Sequence, residues 1–344
     1  MRLFAKSRLV LAAAAFAAML PAAPARAADF YAGKTIDVIV GTSPGGGFDT
    51  YARTLARHMP RHIPGTPAIV VKNMPGAGSA KATAFIYSIA PKDGTVIGAV
   101  FPGAIMEPLL GDRAAAQYDP TRFQYLGTAD NGTRICFTWH GSPTKTFEDA
   151  LRRKTVLGAT QAGGSSRDYA YMHRKLNGAQ FEVVSGYKGG AEILLAIERG
   201  EVDGTCGFEW SSLKTQRADW VRERKVNILV QVALEPEPTL TQMGVPRIAQ
   251  FTRGEDKRKA MELIITQQVF GRPYLLPPGT PPEPVNVLRA AFVRTMADAE
   301  FRADAERLRL DLAPLGGDKV QTIVERLYAA PVDIVEKAKA AVKP

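Results

Sequence analysis

The chain is poor in the residues from which most catalytic centres are built: its 344 residues include two cysteines and four histidines. His58, His62, His140 and His173 are too few for a metal site without carboxylate help. The His58 to His62 spacing encloses Pro60, where a zinc protease carries a helical glutamate. The histidines therefore read as surface residues. Gly41-Thr-Ser43-Pro-Gly45 matches the Gly-x-Ser-x-Gly spacing of a serine-hydrolase elbow, but no His-Gly-Gly-Gly oxyanion motif accompanies it. Ser185-x-x-Lys188 and Ser211-x-x-Lys214 open a penicillin-binding pattern, but its Ser-Asp-Asn and Lys-Thr-Gly companions are missing. A nucleotide site fares no better: Thr50 stands where the third glycine after Gly45-x-Gly47 belongs, and no Walker lysine follows. These gaps argue against an enzyme, and no catalytic residue, metal or cofactor is expected.

Long apolar runs are also scarce. The one run of note, Leu9 to Leu20, follows a basic start of Arg2, Lys6 and Arg8 and precedes Pro21-Ala-Ala-Pro-Ala-Arg-Ala. It is too short to cross a bilayer and has the three-part form of an export signal. Ala25 and Ala27 supply the small residues of a cleavage site, so residues 1–27 are expected to be removed and the mature chain to start at Ala28, in the periplasm. No cysteine lies in this region to carry a lipid. Removal takes four basic residues and no acid, lowering the formal charge from +10 to +6 and leaving 317 residues. Basic residues are interspersed with acids, as in Arg222-Glu-Arg-Lys, so no stripe fit for nucleic acid exists. A mildly positive monomer that favours anionic solutes is expected.

The length exceeds one ordinary core and predicts two lobes. Lys34 is followed by the β-branched run Thr-Ile-Asp-Val-Ile-Val, a glycine loop from Gly41, and a helix-spaced segment from Thr50. Strands at Ala68 to Lys72 and Val96 to Phe101 follow, with a small-residue helix between them. After Tyr118-Asp-Pro the pattern restarts, with strands at Ile135 to Trp139, Val156 to Thr160, Glu182 to Ser185, Gly204 to Phe208 and Asn227 to Ala233. An extended Pro-rich segment after Phe270 and two charged amphipathic helices close the chain. Alternation of this kind predicts an α/β protein, each lobe a mainly parallel sheet covered by helices, with the chain crossing between lobes more than once.

Two strand-to-helix loops carry the chemistry. The first, Thr42-Ser-Pro-Gly-Gly-Gly-Phe-Asp, offers backbone amides at Gly45, Gly46 and Gly47 and a helix start beside Thr42, Ser43 and Asp49. Asp49 and Thr50 read equally as helix caps. The second, Thr160-Gln-Ala-Gly-Gly-Ser-Ser, offers Thr160, Gly163, Gly164, Ser165 and Ser166. One such loop in each lobe suits a carboxylate held in a cleft; alone, each is also a plain tight turn. Tyr187 and Gly189 in Gly186-Tyr-Lys-Gly-Gly join the candidate set, with packing as the other role for Tyr187. Cys136 and Cys206 either pair in an oxidising compartment or lie apart as buried thiols.

The order of short motifs resembles a known family, the substrate-binding receptors of tripartite tricarboxylate transporters, or Bug receptors. The similar pieces are Tyr31-Ala-Gly-Lys-Thr-Ile, Pro44-Gly-Gly-Gly-Phe-Asp, Asn73-Met-Pro-Gly-Ala-Gly, Ala90-Pro-Lys-Asp-Gly-Thr, Tyr118-Asp-Pro, Gly186-Tyr-Lys-Gly, Gly200-Glu-Val-Asp and Leu276-Pro-Pro-Gly-Thr-Pro. The resemblance implies a two-lobed, type II periplasmic-binding-protein fold that closes on a small organic carboxylate and hands it to a small and a large membrane subunit. It implies one discontinuous lobe of residues 28–126 and 245–344 and a second of 127–244. Departures are Asp168, where many members carry histidine, and Gly-Thr-Cys-Gly-Phe-Glu-Trp after Asp203. Phe101, Asp168, Glu209 and Trp210 are further candidates for the cleft lining, with core packing as the other role for Trp210. A periplasmic hydrolase, or a sensory co-receptor presenting its ligand to a membrane kinase, are the alternatives.

Overall fold

The computed structural model describes residues 30–111 and 117–344, so the expected export signal and its cleavage point lie outside the described residues. The strands are β1 (Thr35–Val40), β2 (Ala68–Asn73), β3 (Val96–Ala99), β4 (Gln124–Thr128), β5 (Arg134–Trp139), β6 (Thr155–Ala159), β7 (Phe181–Ser185), β8 (Gly204–Glu209), β9 (Val226–Val232), β10 (Pro273–Leu276) and β11 (Leu315–Gly316). They form two sheets, ordered β11-β4-β10-β3-β1-β2 and β7-β6-β8-β5-β9.

Each sheet is built on the same plan. Three parallel strands come first, β2-β1-β3 in one lobe and β7-β6-β8 in the other. Next to β3 lies β10, and next to β8 lies β5, both antiparallel to their neighbours. These two are the strands by which the chain arrives from the opposite lobe. They enter from the other end, and so the sheets are mixed where mainly parallel ones were expected. Strand β4, at the end of the first lobe's opening unit, was missed by the sequence reading.

Alternation along β1 shows how sequence becomes layer. Ile36, Val38 and Val40 point into one core with Tyr51, Leu55, Leu276 and Phe292, while Ile39 points to the opposite face. That opposite face belongs to a larger cluster that runs through Ile105, Ile264 and Val335 to Leu157 and Tyr169 of the second lobe. A third cluster, with Ile193, Phe208, Trp210 and Trp220, covers the other face of the second sheet. The two lobes thus share an apolar layer and also hold one private core each.

The tail differs from expectation. Four helices, Pro282–Ala297, Ala299–Arg307, Gly317–Tyr328 and Val332–Val342, replace the two predicted. Asp298 divides the first pair: its carboxylate accepts the amides of Glu300 and Phe301 and starts a new helix. The last helix packs on Ser165–Met172, Glu255–Ile265 and Pro102–Leu110. The chain rejoins the first sheet only at β10, later than the residue 245 expected, and its end lies against helices of both lobes. No helix of the described residues is long and apolar enough to cross a membrane.

Cys136 on β5 and Cys206 on β8 are joined by a disulfide, with Cα atoms 3.9 Å apart and 70 residues of separation. Cross-linking a loop of that length stabilises by about 4 kcal/mol when the unfolded chain's entropy dominates. The Cys136→Ser, Cys206→Ser double variant is therefore expected to unfold at lower urea concentration by roughly that free energy. An unchanged midpoint would show that the link is not formed in solution.

Candidate functional site

The carboxyl ends of the parallel strands of both sheets face one cavity of about 70 Å3. A single water needs about 10–15 Å3 on this measure, so the space suits several waters or a small organic molecule. From the first lobe it is lined by Thr42, Ser43, Pro44, Gly46, Gly47 and Phe48 after β1, and by Phe101 after β3. From the second come Thr160, Ser165 and Ser166 after β6, Gly189 to Ile193 after β7, and Gly207, Phe208, Glu209, Ser212 and Gln216 at β8 and beyond.

Three of these segments are helix starts with first-turn residues in the lining: Gly47–His58, Ser165–Met172 and Gly190–Glu198. Each first turn leaves amides without intrahelical partners and carries a partial positive charge. None of the three N-cap residues, Gly46, Gly164 and Gly189, caps with its side chain. The amides are therefore left for a ligand or water, and an anion is the complementary guest.

The first loop is held in shape by Asp49. Its carboxylate, 3% exposed, accepts the Gly45 amide, Arg53 Nε and Asn73 Nδ2, each at 2.9 Å. Burial pushes this carboxyl up, but the hydrogen bonds from Arg53, Gly45 and Asn73 outweigh it and hold it below its ordinary range. Asn73 also donates to the Thr42 carbonyl. Gly45 takes φ of 80°, which a side chain disfavours. Asp49 and Gly45 thus shape the loop from behind, while Thr42, Ser43, Gly46 and Gly47 face the cavity.

In the second loop Ser166 Oγ accepts the Thr160 amide and lies 3.0 Å from Thr160 Oγ1, while Ser165 Oγ donates to the Gly207 carbonyl. Gly163 and Gly164 do not line the cavity. They meet the first lobe instead: a Cβ on Gly103 would collide with the Gly163 carbonyl, and one on Gly78 with that of Ala162. The lobes touch here main chain to main chain.

Behind the cavity lies a buried charge cluster. Glu209 ends β8 and pairs with Arg134, which opens β5, and with Arg272, which precedes β10. Both arginines are 1% exposed. Arg272 also donates to Ser212 Oγ at 2.8 Å and Ser211 Oγ at 3.3 Å, and its guanidinium lies 4.2 Å from the Phe48 ring centre. The two segments that cross between lobes run side by side: the Ala129 amide bonds the Arg272 carbonyl, and the Arg272 amide bonds Thr128 Oγ1. Asp130, on the first crossing, is pushed up to about 6 by burial, with Arg272 opposing and Glu209 adding to the rise.

Several expected residues fall elsewhere. Tyr187 leans on Gly158 and the third core without lining the cavity, because the chain turns its ring back over β6. Trp210 is 1% exposed in that same core. Asp168 lines a separate cavity with Glu107, Arg167 and Lys343. Burial pushes its carboxyl up to about 7; Arg167 and the Gly163 amide oppose this and Glu107 reinforces it. The histidines are not all on the surface: His58 is buried against Asp304 at 3.0 Å, and His173 is fully buried beside Phe147 and the disulfide. Burial lowers His173 to about 4, so it packs as a neutral ring. Sequence reasoning missed Arg134, Arg272, Phe208 and Ser212. An arginine opening an apolar strand, as in Arg134-Ile-Cys-Phe and Arg272-Pro-Tyr-Leu-Leu, was the available signal, since such a charge must find a partner.

No family model matches the chain, and no curated protein matches it in sequence. Solved structures do match in fold. The periplasmic binding protein BugD is similar over 90% of this chain and 98% of its own, with 20% identity and a TM-score of 0.70. MatC from Rhodopseudomonas palustris, solved with bound malate, covers 90% of this chain and 99% of its own at 19% identity and 0.67. Rpa4515 from R. palustris, solved with adipate, covers 89% and 97% at 18% identity and 0.68. The fold is therefore the two-lobed fold of the periplasmic binding proteins.

Glu209→Ala would leave two buried guanidinium groups without their carboxylate, and a loss of about 3–5 kcal/mol in urea unfolding is expected. Asp168 gives a pH signature. Its native carboxyl keeps a proton up to about pH 7, whereas an unfolded one releases it near 3.9. The native state then binds more protons between these values, so this group lowers stability as pH rises. Asp168→Asn is expected to be more stable than the parent at pH 8 by roughly 2–4 kcal/mol, the gain fading by about pH 4. A pH-independent difference would refute the assignment.

Proposed function

We propose that this protein is a periplasmic solute-binding receptor that captures a small organic carboxylate between its lobes and delivers it to the small and large membrane subunits of a tripartite tricarboxylate transporter. The observation that carries this reading is the convergence of three helix starts from two lobes on one cavity. Their amides are preformed for an anion, and the lobes contribute to the site jointly, so ligand stabilises the closed form by its differential affinity for it. That MatC and Rpa4515 were solved with malate and adipate supports a carboxylate guest. The ligand is bound and released unchanged.

The test is a thermal-shift screen of the purified protein against organic acids, with amides and sugars as controls. Ligand at about 100 times its dissociation constant adds roughly 2.7 kcal/mol, a clear rise in melting temperature. Gly46 has φ of −80°, and a Cβ there would meet only the Ser43 carbonyl at an ordinary 3.9 Å. Gly46→Leu is therefore expected to keep the unliganded melting temperature and abolish the shift. A shift with neutral solutes alone would leave the receptor fold standing and discard the carboxylate.

A further inference from the structure

Resting on the receptor reading above, we propose that Ser212 is a solute-contact residue: its hydroxyl donates to the bound carboxylate, and Arg272, behind it, strengthens that bond. Ser212 lies on the helix Trp210–Gln216 of the second lobe and lines the cavity while staying buried. Across the seam it stands against the helix start of the first lobe. A Cβ on Gly47 would collide with Ser212 Oγ and lie 3.2 Å from Arg272 Nη2, so the glycine is what lets the lobes approach here. A carboxylate on the amides that open Gly47–His58 is thereby brought beside the Ser212 hydroxyl.

This hydroxyl differs from its neighbours in where its bonds go. A serine offers one proton and two lone pairs. One lone pair of Ser212 accepts from Arg272 Nη2 at 2.8 Å, which polarises the O–H bond and makes it a better donor. The proton faces Glu209 Oε2 at 3.3 Å, long beside the usual value of about 2.7–2.8 Å. Glu209 keeps Arg134 and Arg272 as partners without it, so the proton turns to an arriving carboxylate at little cost. Ser165 instead donates to the Gly207 carbonyl, Thr42 Oγ1 faces the Ser43 carbonyl, and Thr160 and Ser166 bond each other. Ser211 also accepts from Arg272 but turns to Asp130, away from the cavity. Among the described residues, Ser212 is the lining hydroxyl that a guanidinium backs, and the charge of Arg272 reaches the guest through it.

Isothermal calorimetry of the purified full protein and its variants against malate, adipate and benzoate decides this, with circular dichroism to show that each variant is folded. Ser212→Ala is expected to weaken every acid the parent binds by roughly tenfold or more, the worth of a hydrogen bond to a charged group. Ser212→Thr, which keeps the hydroxyl, is expected to retain most of the parent's affinity. Arg272→Lys keeps a charge but loses the planar fork. Its loss of affinity is expected to disappear once Ser212 is alanine, because the charge acts through that hydroxyl. Undiminished binding by folded Ser212→Ala would overturn the contact and leave the receptor reading intact. Equal losses in the alanine and threonine variants would do the same, making the serine's shape and not its hydroxyl the requirement. Additive losses in the double variant would overturn the role given to Arg272; should Arg272→Lys not fold, the alanine and threonine variants still decide the contact. If the folded parent binds none of the three acids and no other acid shifts its melting temperature, the receptor reading and this contact fall together.

Discussion

Everything in this molecule turns on one buried carboxylate. Glu209 is paired with Arg134 and Arg272, and these arginines mark the two places where the chain enters a lobe from the other. A buried ion cluster is not a strong source of net stability, because desolvation offsets the attraction. Its value is positional. With three strand ends tied to one acid, neither crossing segment can slide against the other without leaving a charge unpaired.

The cleft chemistry follows from topology more than from special side chains. Right-handed connections place each helix start at the carboxyl end of the strand before it, and two sheets facing each other bring those starts together. The positive field of the cavity is thus a backbone property. Side chains modulate it: Asp49 shapes the first loop, Ser165 and Ser166 brace the second, and the phenylalanines set how much water the guest must lose. The glycine contact of Gly103 with Gly163 lets the lobes meet without ordering any side chain, which removes one entropic cost of closing.

The strands and the two glycine loops were legible because their signals are local. β-branched runs mark β1, β2 and β9, and a glycine cluster after a strand marks a turn into a helix. What escaped was non-local. The antiparallel insertion of β5 and β10 depends on where the chain has come from, which no window of residues contains. The pairing of Glu209 with Arg134 and Arg272 joins positions far apart in sequence. Asp49 was a candidate with a helix cap as its other role, and Asp168 was one through the family resemblance, yet a helix start has several sides, and only packing decides which one faces the cavity. Tyr187 and Trp210 illustrate the same limit from the apolar side, since an aromatic ring near a loop covers core as readily as ligand.

The helix Val332–Val342 belongs to neither sheet yet packs on Pro102–Leu110 of the first lobe and Ser165–Met172 of the second. It is a clip across the seam, separate from the two crossing segments and built of apolar contacts where they are built of hydrogen bonds and charge. Cutting such a clip would loosen the lobes from each other while leaving both sheets intact.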